Sequence, residues 1–160
     1  MGKPQKVSPC LWFDDQAENA ARFYTALFEN SEITHISRYG PGAPLPEGTA
    51  MMVAFTLDGT EFSALNGGPV FSPNEAVSFI VGCADQAEID RLWAGLLAGG
   101  GMESRCGWLK DRFGFSWQIV PNALASLMTG DAEAAQRTMA ALMGMVKLNI
   151  AALEAAHRGQ

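Results

Sequence analysis

The tetrapeptide Asp15-Gln16-Ala17-Glu18 recurs as Asp85-Gln86-Ala87-Glu88. Each copy follows a short apolar run, PCLWF before the first and VSFIVGC before the second, and each precedes a helical pattern. An internal repeat constrains a fold more tightly than composition does, because each copy is one supersecondary unit that must bury an equivalent face. In both copies an Asp stands three residues before a Glu at a strand-to-helix boundary, so the two side chains can serve the orphan amides of the first turn as a capping box. The stripe Ala20, Phe23, Tyr24, Leu27, Phe28 follows helical spacing, and so does Ile89, Leu92, Trp93, Leu96, Leu97. The stripes are offset by one residue fewer than the tetrapeptides, so the repeat is approximate.

Three strand-like runs follow each helix. After the first come ITHISRY, AMMVAFTL and TEFSALN, separated by the Gly/Pro loop of residues 40–48 and the Asp58-Gly59 turn. After the second come MESRCG, GWLKD and FSWQIV, joined by Gly-containing turns. Each half reads β-α-β-β-β. Two tandem modules, about residues 7–67 and 76–121, therefore give an α+β domain over residues 1–121 with eight strands and two helices. Residues 122–160 differ in kind: they are rich in Ala and Met, with breaks at Gly130-Asp131 and Gly144. Met139, Leu142, Met143 and Val146 follow helical spacing, as do Ile150 and Leu153, so two or three short helices are expected there as an extension. They cover one face of the sheet or a dimer seam; a ligand lid made of the Met cluster is the alternative.

Charge and cysteine usage exclude several functions. The net charge is -6 and the 11 Lys and Arg residues are scattered, so nucleic acid and anionic membrane are not expected partners. MGKPQKVSP lacks an apolar signal core, and no stretch of about 18 apolar residues occurs. Cys10, Cys83 and Cys106 lack the paired spacing of a zinc or redox motif and read as reduced thiols of a cytoplasmic protein. The glycine clusters fail the context of a nucleotide-cofactor turn, which needs a strand, a Gly-rich turn and a helix. Gly99-Gly100-Gly101 follows a helix, and Gly67-Gly68 is trailed by Pro69 and Pro73 with no helix after it.

A tandem β-α-β-β-β module with DQAE-type helix starts resembles the vicinal oxygen chelate superfamily of glyoxalase I, bleomycin-resistance proteins and extradiol dioxygenases. The segments LWFDDQAENAARFYTALF, ALNGGPVFSPNEAVSF, DRLW and CGWLKDRFGFSWQIVP look like its PhnB-like branch, labelled 3-demethylubiquinone-9 3-methyltransferase, and so does the tail ending in MVKLNIAALEAA. The resemblance implies a curved eight-stranded cup, a homodimer, and a site on the first and last strands of each module, where superfamily enzymes place His and Glu metal ligands. If the ligand lies seven residues before the helix-capping Asp, those positions are Ser8 and Ser78. Gln118 matches the place of the family's Glu, and aligning Gly114 with Gly59 makes Ser63 its counterpart. Hydroxyls and an amide do not deprotonate near neutral pH, whereas strong divalent sites use imidazole, thiolate or carboxylate. No metal or other cofactor is therefore expected, and glyoxalase and dioxygenase chemistries that depend on one are disfavoured. Ser8, Ser63, Ser78 and Gln118 either fill a half-buried cup or form a hydrogen-bonding floor for a small ligand.

Other residues join this set by strand alternation. Cys10 and Trp12 share the face of Ser8; Trp108 is placed with Cys106 in the cup, and Trp117 on the helix side. His35 and His157 are the only histidines, and His35 is the candidate general base if it faces the cup, a structural residue otherwise. Lys110, Asp111 and Arg112 are expected in a solvated turn ordered by Asp111. The expected function is binding of a small, partly aromatic molecule by Ser8, Cys10, Trp12, Ser63, Ser78, Trp108 and Gln118. The alternative is an enzyme of the same superfamily, using a weakly held metal at Gln118 or acid/base work by His35.

Overall fold

The computed structural model describes residues 4–160. They fall into two compact units that divide between Pro73 and Asn74, between the two copies of the repeat.

The first unit runs β1 (Cys10–Phe13), α1 (Ala17–Leu27), β2 (Glu32–Arg38), β3 (Ala50–Leu57) and β4 (Thr60–Asn66). Its strands form one mixed sheet in the order β1-β4-β3-β2, with β1 parallel to β4 and the other pairs antiparallel. Alternation along the strands turns Val53, Phe55, Leu57, Phe62 and Ala64 toward α1, where all are buried. The helix seats through Ala17, Ala20, Ala21 and Tyr24, whereas Phe23, Leu27 and Phe28 of the predicted stripe remain half-buried. Small side chains let the helix approach the sheet, and Tyr24 stacks on Phe55, which stacks on Phe62, with centroids 6.3 and 5.5 Å apart.

The second unit repeats the plan with β5 (Ser78–Cys83), α2 (Gln86–Leu97), β6 (Met102–Glu103), β7 (Trp108–Lys110) and β8 (Ser116–Pro121). Strand order is β5-β8-β7-β6 with β5 parallel to β8, so the sequence repeat is a repeat of topology. Ile89, Leu92, Trp93 and Leu96 bury the inner side of α2, and Trp93 Nε1 donates to Glu103 Oε1 at 2.9 Å. β6 is shorter than MESRCG because the chain turns at Cys106 and Gly107, whose φ angles are 58° and 82°.

The tail forms α3 (Leu124–Leu127), α4 (Ala132–Met143) and α5 (Ile150–Arg158). Leu142, Leu148 and Leu153 make a small core against which Cys106 and Val120 pack. The amide of Gln86 fastens it: Nε2 donates to Leu148 O at 3.0 Å, and Oε1 accepts from Ile150 N at 2.9 Å.

The two helix starts differ. At α2 the Asp85 half of the capping box forms as predicted, Asp85 Oδ1 accepting from Glu88 N at 2.9 Å, while Glu88 Oε2 reaches one residue further back and accepts from Ala84 N at 2.7 Å. At α1 the N-cap is Gln16, without a side-chain cap bond, and Ala17 N donates instead to Asn66 Oδ1 on β4 at 2.8 Å. Glu18 is taken by Arg22 and Arg38 at 2.8 and 2.9 Å, charge-assisted bonds that outweigh a bond to a backbone amide. The guanidiniums of Arg38 and Arg22 hold its carboxyl below the usual carboxylate range.

Candidate ligand-binding face

Each sheet has one face against its helix and one turned away, and directly paired residues share a face. In the second unit the averted face carries two rows. Ile80, Gln118 and Trp108 pair across β5, β8 and β7; Ser78, Ser116 and Lys110 form the adjacent row. Gln118 Nε2 donates to Ser78 Oγ at 2.9 Å, so two of the sequence-predicted residues meet. Trp108 stands opposite Gln118 and is half-buried. Ile80, on the other side of Gln118 on the edge strand β5, is 68% exposed, an apolar residue beside a polar floor. Val120, two residues on from Gln118, packs under the tail, which covers that end of the face.

Ser116 was not singled out in the sequence, although it lies two residues before Gln118 and so shares its face. It is 2% exposed, and its Oγ is the buried side-chain polar atom that lacks a hydrogen-bond partner among the described residues. A buried hydroxyl without a partner costs stability. Lys110 ends β7 in the same row, half-buried, and its ammonium pairs with Glu75.

This corrects the expectation of a solvated Lys-Asp-Arg turn. Only Arg112 is exposed; Asp111 is 3% exposed and accepts from Phe113 N, Phe115 N and Trp117 Nε1 at 2.8, 3.1 and 2.9 Å. Three donors repay burial of the carboxylate, and Asp111 does order the turn. Trp117 is buried on the helix side against Phe79, as alternation predicts. Cys106 does not continue the Trp108 face, because it sits in the turn before β7, with its Sγ 3.7 Å from Met143 Sδ.

In the first unit the averted face carries His35, Ala54, Ser63 and Cys10 in one row across all four strands. A register shift between Ile33 and His35 brings His35 opposite Ala54, where it is exposed. Trp12 lies on this face next to Cys10, with Nε1 donating to Gly68 O at 2.9 Å and its ring edge-on to Phe71 at 5.0 Å. Its ring lies so close over Gly67 that a Cβ there would come within 2.2 Å of it. Ser8 precedes β1 and is exposed, so it does not join the row. Burial raises the Cys10 thiol above its ordinary value and pushes Cys83 up to about 11, so neither is an activated nucleophile. A groove of about 350 Å³ lined by Arg22, Thr25, Ala26, Ser31 and Ile33 involves none of these residues.

The register supports the alignment built on the repeat. Cys10 pairs with Ser63 in one sheet as Ile80 pairs with Gln118 in the other, so Ser63 and Gln118 are topological equivalents. Ser63, Ser78 and Gln118, which the resemblance marks as metal positions, offer hydroxyl and amide donors. Such a set does not fit a divalent ion, which needs imidazole, thiolate or carboxylate, and no three His, Cys, Asp or Glu side chains cluster among the described residues.

A family model described as 3-demethylubiquinone-9 3-methyltransferase matches residues 5–120. No curated protein matches the sequence. The solved PhnB protein of Bacillus cereus is similar at 36% identity, over 73% of this chain and 99% of that one, with a TM-score of 0.69. Protein PA1353 of Pseudomonas aeruginosa is similar in fold, at 19% identity over 74% of this chain and 98% of that one, with a TM-score of 0.61. So is the fosfomycin resistance protein FosX of Mesorhizobium loti, at 11% identity over 74% and 91%, with a TM-score of 0.53.

Proposed function

The chain belongs to the PhnB-like family described as 3-demethylubiquinone-9 3-methyltransferase, within the vicinal oxygen chelate superfamily, and on that premise we propose that it binds a small molecule without a tightly held metal. This is the manner of the glyoxalase/bleomycin-resistance type. The observation that carries the reading is the polar floor of the second sheet. Gln118 commits an amide N–H to Ser78, which leaves its carbonyl oxygen for a ligand donor. The buried Ser116 hydroxyl lies in the next row, and Trp108 supplies an aromatic wall. Cys10, Trp12 and Ser63 form the corresponding face of the first sheet.

Methyl transfer is not part of the proposal. Gly67-Gly68 leads into a turn at residues 69–70 with no helix before β5, and Gly99-Gly100-Gly101 into β6, so neither makes the strand-turn-helix junction that a nucleotide cofactor uses. We place the protein in the cytoplasm as a homodimer. Its cysteines are free, and the exposed Met139, Met143 and Val146 offer a second copy an apolar patch. No helix among the described residues is long and apolar enough to cross a membrane.

The test screens neutral and charged small aromatics by tryptophan fluorescence and thermal unfolding, after elemental analysis for metals. Gln118→Ala should weaken a bound aromatic about tenfold, one lost hydrogen bond in a desolvated site, and leave the fold intact. A stoichiometric metal whose return raises the unfolding midpoint would overturn the metal-free reading. The shared row of His35, Ser63 and Cys10 favours a second reading, in which the imidazole does acid/base chemistry. An enzyme would lose turnover in His35→Ala; a sequestering protein would lose only affinity.

A further inference from the structure

The row Ser78, Ser116, Lys110 is chemically different from the rest of the face. Lys110 is its cation, with 29% of its side chain exposed, and the pair it makes is with Glu75, three residues before Ser78. Glu75 lies in the exposed stretch of residues 74–77 and is itself 62% exposed. A carboxylate on an exposed, locally tethered segment is held by a pair of small net worth, so it can be displaced. Ser116 stands directly opposite Lys110 across β8 and β7, and its buried hydroxyl is a donor without an acceptor among the described residues.

We propose that Lys110 and Ser116 form an acid subsite of the ligand face, that Glu75 holds its lysine as an internal surrogate while the Ser116 hydroxyl is left unpaired, and that the ligand is a small aromatic carboxylate whose acid group displaces Glu75. The proposal rests on the reading of this face as a binding site. One lysine neutralises one negative charge, so a monoanion is the matched class. Ser116 donates its O–H to the incoming carboxylate, which removes the cost of its burial. Trp108 lies two residues along β7 from Lys110, about 7 Å, which suits a ring separated from its acid group by a short spacer. The Lys110 ammonium holds the Glu75 carboxyl below the usual carboxylate range, so the surrogate is ionised, as the ligand would be.

The experiment uses the full chain and two probes of equal shape, phenylacetate and its neutral amide phenylacetamide, titrated by heteronuclear NMR while the Trp108 indole and Ser116 amide resonances are followed. Phenylacetate should bind at least tenfold tighter than the amide. Glu75→Gln should tighten phenylacetate about two- to fivefold, the worth of an exposed ion pair. Lys110→Met should reduce phenylacetate to the level of the amide, with circular dichroism confirming that both variants fold. If the amide binds this face as well as the acid does, or Lys110→Met leaves phenylacetate unaffected, the acid subsite is wrong while the ligand face stands. If neither probe perturbs Trp108 or Ser116, both readings fall.

Discussion

Replacing Ser116 with Ala should stabilise the protein, the opposite of what most substitutions at a 2% exposed position do. The Ser116 Oγ is buried without a partner, and such a group costs about 1–3 kcal/mol of desolvation that nothing in the fold returns. Removing one oxygen leaves a void of roughly 10–15 Å³, which at about 24 cal/mol per Å³ takes back only some 0.3 kcal/mol. The net gain is about 0.7 kcal/mol even at the low end, or roughly 1–3 °C in midpoint for a chain of this size. Ser78→Ala is the control of opposite sign. Its Oγ accepts from Gln118, so its removal should cost about 0.5–1.5 kcal/mol. Urea unfolding read by tryptophan fluorescence gives both values, provided the slope m is unchanged. The stabilised Ser116 variant should also bind phenylacetate more weakly than wild type. Destabilisation of Ser116→Ala by 1 kcal/mol or more would mean that the hydroxyl already has its partner in the folded protein, and the argument for a ligand there would fail.

Further outcomes follow from the same geometry. Asp85→Ala should cost about 1 kcal/mol as a lost cap, while Asp15→Ala should fall within about 0.5 kcal/mol of wild type; equal costs in urea unfolding would contradict the asymmetry of the two helix starts. Asn66→Ala should cost about 3 kcal/mol, because Ala17 N and Ala50 O each lose a buried bond. Asn66→Asp should rescue little of it, since a carboxylate oxygen would then face the Ala50 carbonyl. Glu18, its folded pKa lowered, contributes stability above its unfolded value, and that contribution disappears as pH falls through the folded one. The stability difference between wild type and Glu18→Gln, below about 1 kcal/mol for so exposed a pair, should therefore be present at pH 6 and shrink as pH falls below the ordinary glutamate range; a constant difference would refute the linkage. Gly67→Ala should displace the Trp12 ring and alter near-ultraviolet circular dichroism, since the added methyl would sit 2.2 Å from it.

The repeat made the two-module plan and the equivalence of Ser63 and Gln118 legible, because two offsets, Asp15 to Asp85 and Gly59 to Gly114, relate the first and last strands of the two modules independently; the strand order itself came from the structure. The register of Cys10 with Ser63 and of Ile80 with Gln118 agrees with both. What escaped the sequence depended on distant partners. Asn66 ends a strand pattern, and nothing local tells that it bonds Ala17 and Ala50. Asp111 stood inside a charged triplet, and its burial is bought by Trp117 and two amides that only the folded turn assembles. Ser116 differs: alternation from Gln118 was enough to place it on the same face, and only its missing partner depends on the fold.

The two helix starts also imply a difference in the order of assembly. Everything that caps α2 comes from within five residues, Ala84 to Glu88, so its first turn can form before any sheet exists. α1 waits for Asn66, whose side chain arrives only when β4 has closed a loop of nearly fifty residues back onto Ala17. A duplicated plan has thus yielded one half that can nucleate locally and one that closes only as a whole. A peptide spanning residues 84–98 should show incipient helix in water where one spanning 14–28 does not.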